Sequence, residues 1–229
     1  MISNGDTLIA LQHLARSYRK QLSVDVIGVT GSNGKTTTKD LINSVLGTTY
    51  KVHKTQGSLN SQIGLPLTIL EIEEDCEIVV LEMGMSEHGQ IQRLSEIAEP
   101  NLAVITMIGQ SHIQTLGLRE AIADAKLEIV MNLKEQGLLI YNGDEPLLKE
   151  RIHTLPNANH IEFIRFGESS SNDIYPVSMK EHSTGIDFTL NDEVIYFIPL
   201  HGKYNVYNAI IAIKVGQQFN LDQQSIKKG

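Results

Sequence analysis

The stretch VDVIGVTGSNGKTT, residues 24–37, decides the fold of this chain. Its first part, residues 24–29, is short, apolar and rich in β-branched side chains, which predicts a buried strand. After the glycine-rich segment, apolar residues recur at helical spacing between 41 and 46, and Gly47 follows as a helix stop. A strand, a glycine-rich turn with Gly-Lys-Thr and a helix together predict a P-loop.

The glycine-rich segment has the chemistry of a phosphate-binding loop. Glycines let backbone N–H groups turn toward phosphate oxygens, and the start of a helix adds partial positive charge. Lys35 would reach the β- and γ-phosphates, and the Thr36 hydroxyl would bind Mg²⁺. The general pattern has glycine where this chain has Val29, and a glycine-rich turn with a surface lysine is the alternative. The predicted phosphate-binding residues are Gly31, Ser32, Asn33, Gly34, Lys35, Thr36 and Thr37.

The rest of the chain continues the alternation of strands and helices. Buried-type strands are predicted at residues 76–81, 102–106 and 138–141, with helices at 91–97 and 117–133 between them. This order predicts an α/β fold, a mostly parallel sheet flanked by helices. Helices are also predicted over residues 7–22 and from about 204 to 219. Four short strands without helices, at 161–166, 174–179, 186–190 and 194–198, predict an antiparallel β extension on one edge of that sheet.

Composition excludes several classes of protein. The 229 residues are 41% apolar and 20% charged, which is ordinary for a folded domain. Cys76 is the one cysteine, so neither an intramolecular disulfide nor a cysteine-rich zinc site is expected. The net charge of −8 argues against binding to nucleic acid. No apolar run approaches 18 residues and no secretory signal is visible, so the sequence predicts a cytoplasmic protein without a membrane partner.

Glu82 follows the apolar run Ile78-Val-Val-Leu81, in the manner of a Walker B strand with glutamate in place of aspartate. A carboxylate at the carboxyl end of such a strand points into the ligand crevice of an open α/β sheet, where it would hold Mg²⁺ directly or through water. A strand-end glutamate in solvent is the alternative. The Asn-Lys-x-Asp guanine-binding motif of GTPases is absent from the sequence, which favours ATP.

Beyond the loop, several stretches resemble the Mur ligases and folylpolyglutamate synthetases, whose loop also lacks the first Walker glycine. The similarity covers nearly the whole chain, from about residue 6 to residue 229. The stretches are GVTGSNGKTT (28–37), TQGSLNSQIGLPLT (55–68), EMGMSEHGQI (82–91), AVITMIGQSH (103–112), AKLEI (125–129) and GKYNVYNA (202–209).

The resemblance implies an ADP-forming amide ligase of peptidoglycan precursor synthesis. Its substrates would be ATP, UDP-N-acetylmuramoyl-tripeptide and D-alanyl-D-alanine, joined through an acyl phosphate. Such ligases have three domains and are expected to be monomers. Residues 23–220 would be the central ATP-binding domain, 1–22 the helix leaving an N-terminal domain, and 221–229 the start of a linker to a C-terminal domain. The isolated chain would therefore be inactive.

The resemblance also implies two Mg²⁺ sites. Thr36 and Glu82 match the ligands of the first ion, and His112 and Lys126 match the second, where the family's lysine is carbamylated by CO₂. Taken alone, the residues favour a surface position for Lys126, about 60° from the centre of its helix's apolar stripe at 100° per residue.

Further residues match the family's nucleotide and substrate sites. Asn142 and Asp144 match positions near the adenosine, and Asn205 and Asn208 match a pair near the adenine. Asn60 matches an asparagine of the substrate loop. This chain departs from the family pattern by having Tyr204 in place of a histidine, and Ser58, Ser61 and Met107 where asparagine is common.

Three alternatives remain at this point. The first is another Mur ligase or a folylpolyglutamate synthetase, against which stretches 60–68 and 82–91 argue. The second is a P-loop kinase or switch protein, for which a second metal site at His112 has no use. The third is a nucleotide-binding module without ligase chemistry.

Overall fold

The computed structural model describes residues 6–109 and 116–229. Six strands form a parallel sheet in the order β2-β3-β1-β4-β5-β6. Strand order reverses direction at β1, and in open α/β sheets ligands bind at such a reversal, outside the carboxyl ends of the strands. The strands are β1 (Asp25–Thr30), β2 (Val52–Lys54), β3 (Ile78–Glu82), β4 (Leu102–Ile105), β5 (Leu138–Asn142) and β6 (Glu162–Phe166).

Helices cover both faces of this sheet. One face carries α1, α3, α4, α5 and α6, and the other carries α2, α7 and α8. Because both faces are covered, β4 is apolar along its whole length and β3 is apolar up to Glu82, as the sequence predicted. The helices are α1 (Thr7–Arg19), α2 (Lys35–Leu46), α3 (Gly64–Leu70), α4 (Gln90–Ala98), α5 (Arg119–Leu127), α6 (Pro146–Ile152), α7 (Lys203–Gln218) and α8 (Gln223–Lys228), and 3-10 turns cover Glu128–Asn132 and Ala158–His160.

The predicted fold class is confirmed, with one difference in the antiparallel part. The first of the four short strands, β6, pairs in parallel with β5 and completes the main sheet. The other three form a separate antiparallel sheet, β7 (Pro176–His182), β8 (Gly185–Leu190) and β9 (Ile195–Ile198). Its inner face packs with α7 in one apolar core. Short antiparallel strands gain more by burying one face on a helix than by extending an edge.

Both ends of the described chain are packed. Asp6 caps α1 by accepting hydrogen bonds from Leu8 N and Ile9 N, and Arg19 donates to the Ala98 carbonyl at 2.9 Å. Residues 223–228, which the sequence predicted to begin a linker, form α8 with Ile226 buried against α2 and α7. Among the described residues, no helix combines the length and the apolar character needed to cross a bilayer.

Candidate functional site

The loop between β1 and α2 has a backbone that requires glycine at two positions. Gly31 has φ +145°, and a Cβ there would lie 2.0 Å from Oγ1 of Thr106. Gly34 has φ +81° and directly precedes α2, and its Cβ would lie 2.7 Å from Oδ1 of Asn208. Side chains rarely adopt these angles. The two glycines therefore allow the loop to pass close to β4 and α7 and to present the start of α2.

The segment after β4 holds this loop from the other side. Ser32 N donates to the Met107 carbonyl at 2.9 Å, and Gly109 N donates to Ser32 Oγ at 2.8 Å. The Thr106 hydroxyl donates to the Asn33 carbonyl at 2.6 Å. The loop is thus held in place by hydrogen bonds within the protein, as a preorganised anion site requires.

Lys35 folds back over the loop. Its Nζ donates to the Gly31 carbonyl at 2.9 Å. Burial lowers the pKa of Lys35, and the nearby charge of Glu82 opposes that change. The Lys35 amine therefore lies beside the loop that is predicted to bind phosphate.

Glu82 lies at the end of β3, 2% exposed, which excludes the solvent-exposed alternative. Its Oε2 accepts a hydrogen bond from Thr36 Oγ1 at 2.9 Å. Its Oε1 accepts one from Asn60 Nδ2 at 2.7 Å, and its backbone N donates to Thr55 Oγ1 at 3.0 Å. Lys39 Nζ lies 3.9 Å from the same Oε2.

The pair of Thr36 and Glu82 fits the ligand geometry of Mg²⁺. That ion prefers oxygen ligands at 2.0–2.1 Å in an octahedron, so two adjacent ligands are about 2.9 Å apart. The two side-chain oxygens are 2.9 Å apart. In the described part of the chain no three His, Cys, Asp or Glu side chains cluster as a metal site.

Lys126 is buried, 1% exposed, so its predicted surface position is wrong. Burial lowers the pKa of Lys126 to about 7; the nearby charge of Lys35 lowers it further, and Glu128 opposes the change. The 3-10 turn after α5 packs against α4, and helix periodicity within α5 does not report such packing between elements. His112, the other predicted ligand of a second ion, lies outside the described residues.

A cavity of about 650 Å³ adjoins the phosphate loop. It brings together seven sequence-predicted nucleotide residues from the loop, the start of α2, the end of β5 and α7: Asn33, Gly34, Thr37, Asn142, Asp144, Asn205 and Asn208. One wall carries the Tyr204 side chain, which is 64% exposed and free to stack on a planar ring.

The two asparagines of α7 form a chain of hydrogen bonds to the start of α2. Asn208 Oδ1 accepts from Thr38 Oγ1 at 3.1 Å, and Asn208 Nδ2 donates to Asn205 Oδ1 at 3.1 Å. Asn205 Nδ2 donates to the His201 carbonyl at 2.8 Å. These residues therefore set the position of α7 against the loop as well as lining the cavity.

Asp144 braces the opposite wall. Its carboxylate accepts hydrogen bonds from the backbone N–H groups of Glu168 and Ser169 and from Asn172 Nδ2. Asn142 Oδ1 in turn accepts from Asp144 N at 2.9 Å. Both predicted residues line the cavity, and the Asp144 carboxylate also fixes the loop that begins after β6.

Sequence reasoning missed two groups at this site. Lys39 lies one helical turn after Lys35, and its Nζ is close to the Glu82 carboxylate. Only the spacing of four residues could have indicated that the two lysines share a face of α2. Tyr207 donates to Glu168 Oε2 at 3.3 Å at the cavity wall, and burial together with the Glu168 charge raises the pKa of Tyr207 to about 12. The resemblance assigned Asn60 to the substrate loop. In the structure its side-chain amide donates to Glu82 Oε1.

This geometry, a parallel sheet with a glycine loop before α2 and a buried carboxylate on the neighbouring strand, is that of a P-loop-type nucleotide-binding domain. The family model described as Mur ligase middle domain matches residues 29–216. The chain therefore belongs to the Mur ligase family through this middle domain.

Curated relatives and solved structures agree. The UDP-N-acetylmuramoyl-tripeptide–D-alanyl-D-alanine ligase of Bacillus subtilis (strain 168) is 52% identical over 225 residues, which are 98% of this chain and 48% of that relative. A crystal structure of MurF from Acinetobacter baumannii superposes with a TM-score of 0.91 at 30% identity, covering 98% of this chain and 49% of that one.

A crystal structure of MurF ligase from Thermotoga maritima in complex with ADP superposes with a TM-score of 0.87 at 28% identity. It covers 98% of this chain and 52% of that chain. The chain thus spans about half the length of the relatives it matches.

Proposed function

We propose that this chain is the ATP-binding part of an ADP-forming amide ligase that joins D-alanyl-D-alanine to UDP-N-acetylmuramoyl-tripeptide. The 52% identity to the Bacillus subtilis ligase supports the choice of substrates, and the ADP complex of the Thermotoga maritima ligase supports the nucleotide. The observation that carries the proposal is the Thr36–Glu82 pair, 2.9 Å apart beside the phosphate loop.

In this proposal the loop positions the triphosphate for attack by the substrate carboxylate. Backbone N–H groups of residues 33–36, at the start of α2, bind the phosphates. Lys35 stabilises negative charge that develops on the transferred γ-phosphoryl group. The amine of the dipeptide then attacks the carbonyl carbon of the acyl phosphate so formed; inorganic phosphate leaves, the amine loses a proton, and the amide bond results.

Thr36 and Glu82 would hold the first Mg²⁺, which supplies charge neutralisation on the phosphates when bound. We propose Lys126 and His112 for a second ion. A lowered pKa supports this role for Lys126, because the neutral amine is the form that adds CO₂ to give a carbamate. A carbamate supplies an oxygen donor where an ammonium supplies none.

Further parts of the proposal rest on the sequence. The division into residues 1–22, 23–220 and 221–229, the monomeric state, the cytoplasmic location and the inactivity of the isolated chain stay predictions. The cavity beside Tyr204 and Asn208 is proposed for the adenosine. Asn60 is proposed to act on the substrate side through Glu82, which its amide contacts.

A domain exchange tests the ligase proposal. Residues 6–229 replace the matched part of the Bacillus subtilis ligase, and the chimera is incubated with ATP and both substrates. We expect ATP-dependent product and ADP by mass spectrometry, because the active-site segments are retained at 52% identity overall. A folded chimera that binds Mg·ATP and makes no product would contradict the proposed ligase chemistry while leaving nucleotide binding intact.

A further inference from the structure

A buried lysine of unassigned role lies beside the proposed metal pair. Lys39 is on α2 and is 2% exposed. Its Nζ is 3.9 Å from Oε2 of Glu82, the same oxygen that accepts the Thr36 hydrogen bond. A lysine is almost never fully buried unless its charge is paired. The buried ammonium of Lys39 therefore requires a carboxylate that balances its charge.

Glu82 is the buried partner of Lys39. The other carboxylate within 4 Å in the described structure belongs to Asp40, at 3.6 Å. Asp40 is about half exposed and is paired with Lys54 at 2.7 Å. Its charge is thus screened by solvent and already balanced. Glu82 has no such solvent screening, and Lys39, together with Lys35, compensates its charge.

We propose that Lys39 is a positioning residue that neutralises Glu82 in the nucleotide-free protein, so that the site takes a divalent cation only together with a nucleotide. The inference rests on the proposed function, which makes Thr36 and Glu82 the metal-binding pair. A bare divalent ion at Glu82 Oε2 would meet the ammonium of Lys39 at the same oxygen. The phosphates of a nucleotide bring the negative charge that offsets this repulsion.

Manganese binding to the nucleotide-free, 229-residue chain tests the inference. Mn²⁺ is the probe, and free Mn²⁺ is measured by electron paramagnetic resonance. We expect Lys39→Met to bind Mn²⁺ at least about tenfold more tightly than the wild type, because removal of a like charge a few ångströms away favours the ion. The melting temperature of Lys39→Met should rise with MnCl₂ alone, and that of the wild type should not. Equal Mn²⁺ affinities overturn the inference.

Two variants separate this role from a purely structural one. Lys149→Met makes the same change in net charge at an exposed lysine on α6, and it should leave Mn²⁺ binding unchanged. Lys39→Met with Glu82→Gln removes both buried charges, and it should lose the stabilisation by Mn²⁺. A double variant that MnCl₂ still stabilises would contradict the role of Lys39.

If Lys39→Met does not fold, Mn²⁺ binding to the wild-type protein tests the inference. We expect the Kd for Mn²⁺ to fall at least about tenfold when ADP is present. Bare Mn²⁺ bound as tightly as Mn²⁺ with ADP would overturn the inference. Absence of binding even with ADP or ATP would instead contradict the proposed function, so the two failures are distinguishable.

Discussion

The Asn60 side-chain amide donates a hydrogen bond of 2.7 Å to Oε1 of Glu82. Asn60 also accepts a backbone hydrogen bond from Gly84 N at 2.8 Å, and a Cβ at Gly84 would lie 2.8 Å from its Oδ1. The loop before α3 is therefore fixed to the end of β3. Through this contact, the segment that resembles a substrate loop sets the orientation of the carboxylate proposed to bind Mg²⁺.

Removal of the Asn60 amide should weaken Mg·ATP binding. A hydrogen bond to a charged group contributes about 1.5–3 kcal/mol, so we expect Asn60→Ala to raise the Kd for Mg·ATP by about tenfold or more. Isothermal titration calorimetry measures this effect. Ser58→Ala, in the same loop, removes an exposed hydroxyl and is the matched control. An unchanged Kd in Asn60→Ala would show that Glu82 is held without Asn60.

Burial of Lys126 should make stability depend on pH. Its pKa is about 7 in the folded chain against an ordinary value of 10.5. Between these values the unfolded chain binds one more proton, so the free energy of unfolding rises with pH across this window. Below pH 7 both states are protonated and the cost of the buried charge is present in full.

The Lys126→Met variant lacks this titration. Urea unfolding at pH 7 and pH 9 should show the wild type gaining stability relative to the variant, by on the order of 2 kcal/mol at about 1.4 kcal/mol per pH unit. Lys149→Met, at an exposed position on α6, is the control for loss of a positive charge. Parallel pH profiles for the wild type and Lys126→Met would contradict the depressed pKa.

Carbamylation of Lys126 predicts a chemical rescue. In the domain-exchange chimera, bicarbonate should raise the activity of the wild-type segment, and Lys126→Ala should abolish activity. Short-chain carboxylates should restore part of it, because they supply the missing oxygen donor. Mass-spectrometric product assays measure both effects. If neither bicarbonate nor carboxylates alter the rate, Lys126 is not a carbamylated ligand.

Tyr204 should contribute to nucleotide affinity through its ring. Stacking of a base on an aromatic side chain contributes about 1–3 kcal/mol, so Tyr204→Ala should raise the Kd for ATP about tenfold. Tyr204→Phe keeps the ring and should bind ATP as the wild type does. The comparison is made by calorimetry. Equal affinities in all three proteins would place the base away from this wall of the cavity.

The position of the site was predictable from sequence because it depends on local order. A strand, glycines and Gly-Lys-Thr specify the loop, and Glu82 follows a fully apolar run. Parallel pairing then brings Val29 opposite Glu82 on neighbouring strands. These features arise within short segments, so composition and spacing report them.

The contacts of Lys126, Lys39 and Asn60 were not predictable in the same way. Each depends on packing between segments far apart in the chain, such as Asn60 against Glu82. Helix periodicity shows one face of α5, but it cannot show that the packing of other elements leaves Lys126 1% exposed. The antiparallel strands were predicted, but their separation from the main sheet was not, because alternation along a strand does not identify its partner.

Titration of Mg·ATP into wild type and Lys35→Ala tests the central claim most directly. If residues 31–37 bind the phosphates of ATP, the affinity for Mg·ATP should depend on Lys35, whereas a preference for Mg·ATP over Mg·GTP would report on the adenosine cavity. Lys35→Ala should raise the Kd for Mg·ATP at least about tenfold through loss of a charge-assisted contact, with unfolding stability measured in parallel. Equal Mg·ATP affinities in wild type and Lys35→Ala would contradict the claim that this loop is the ATP site.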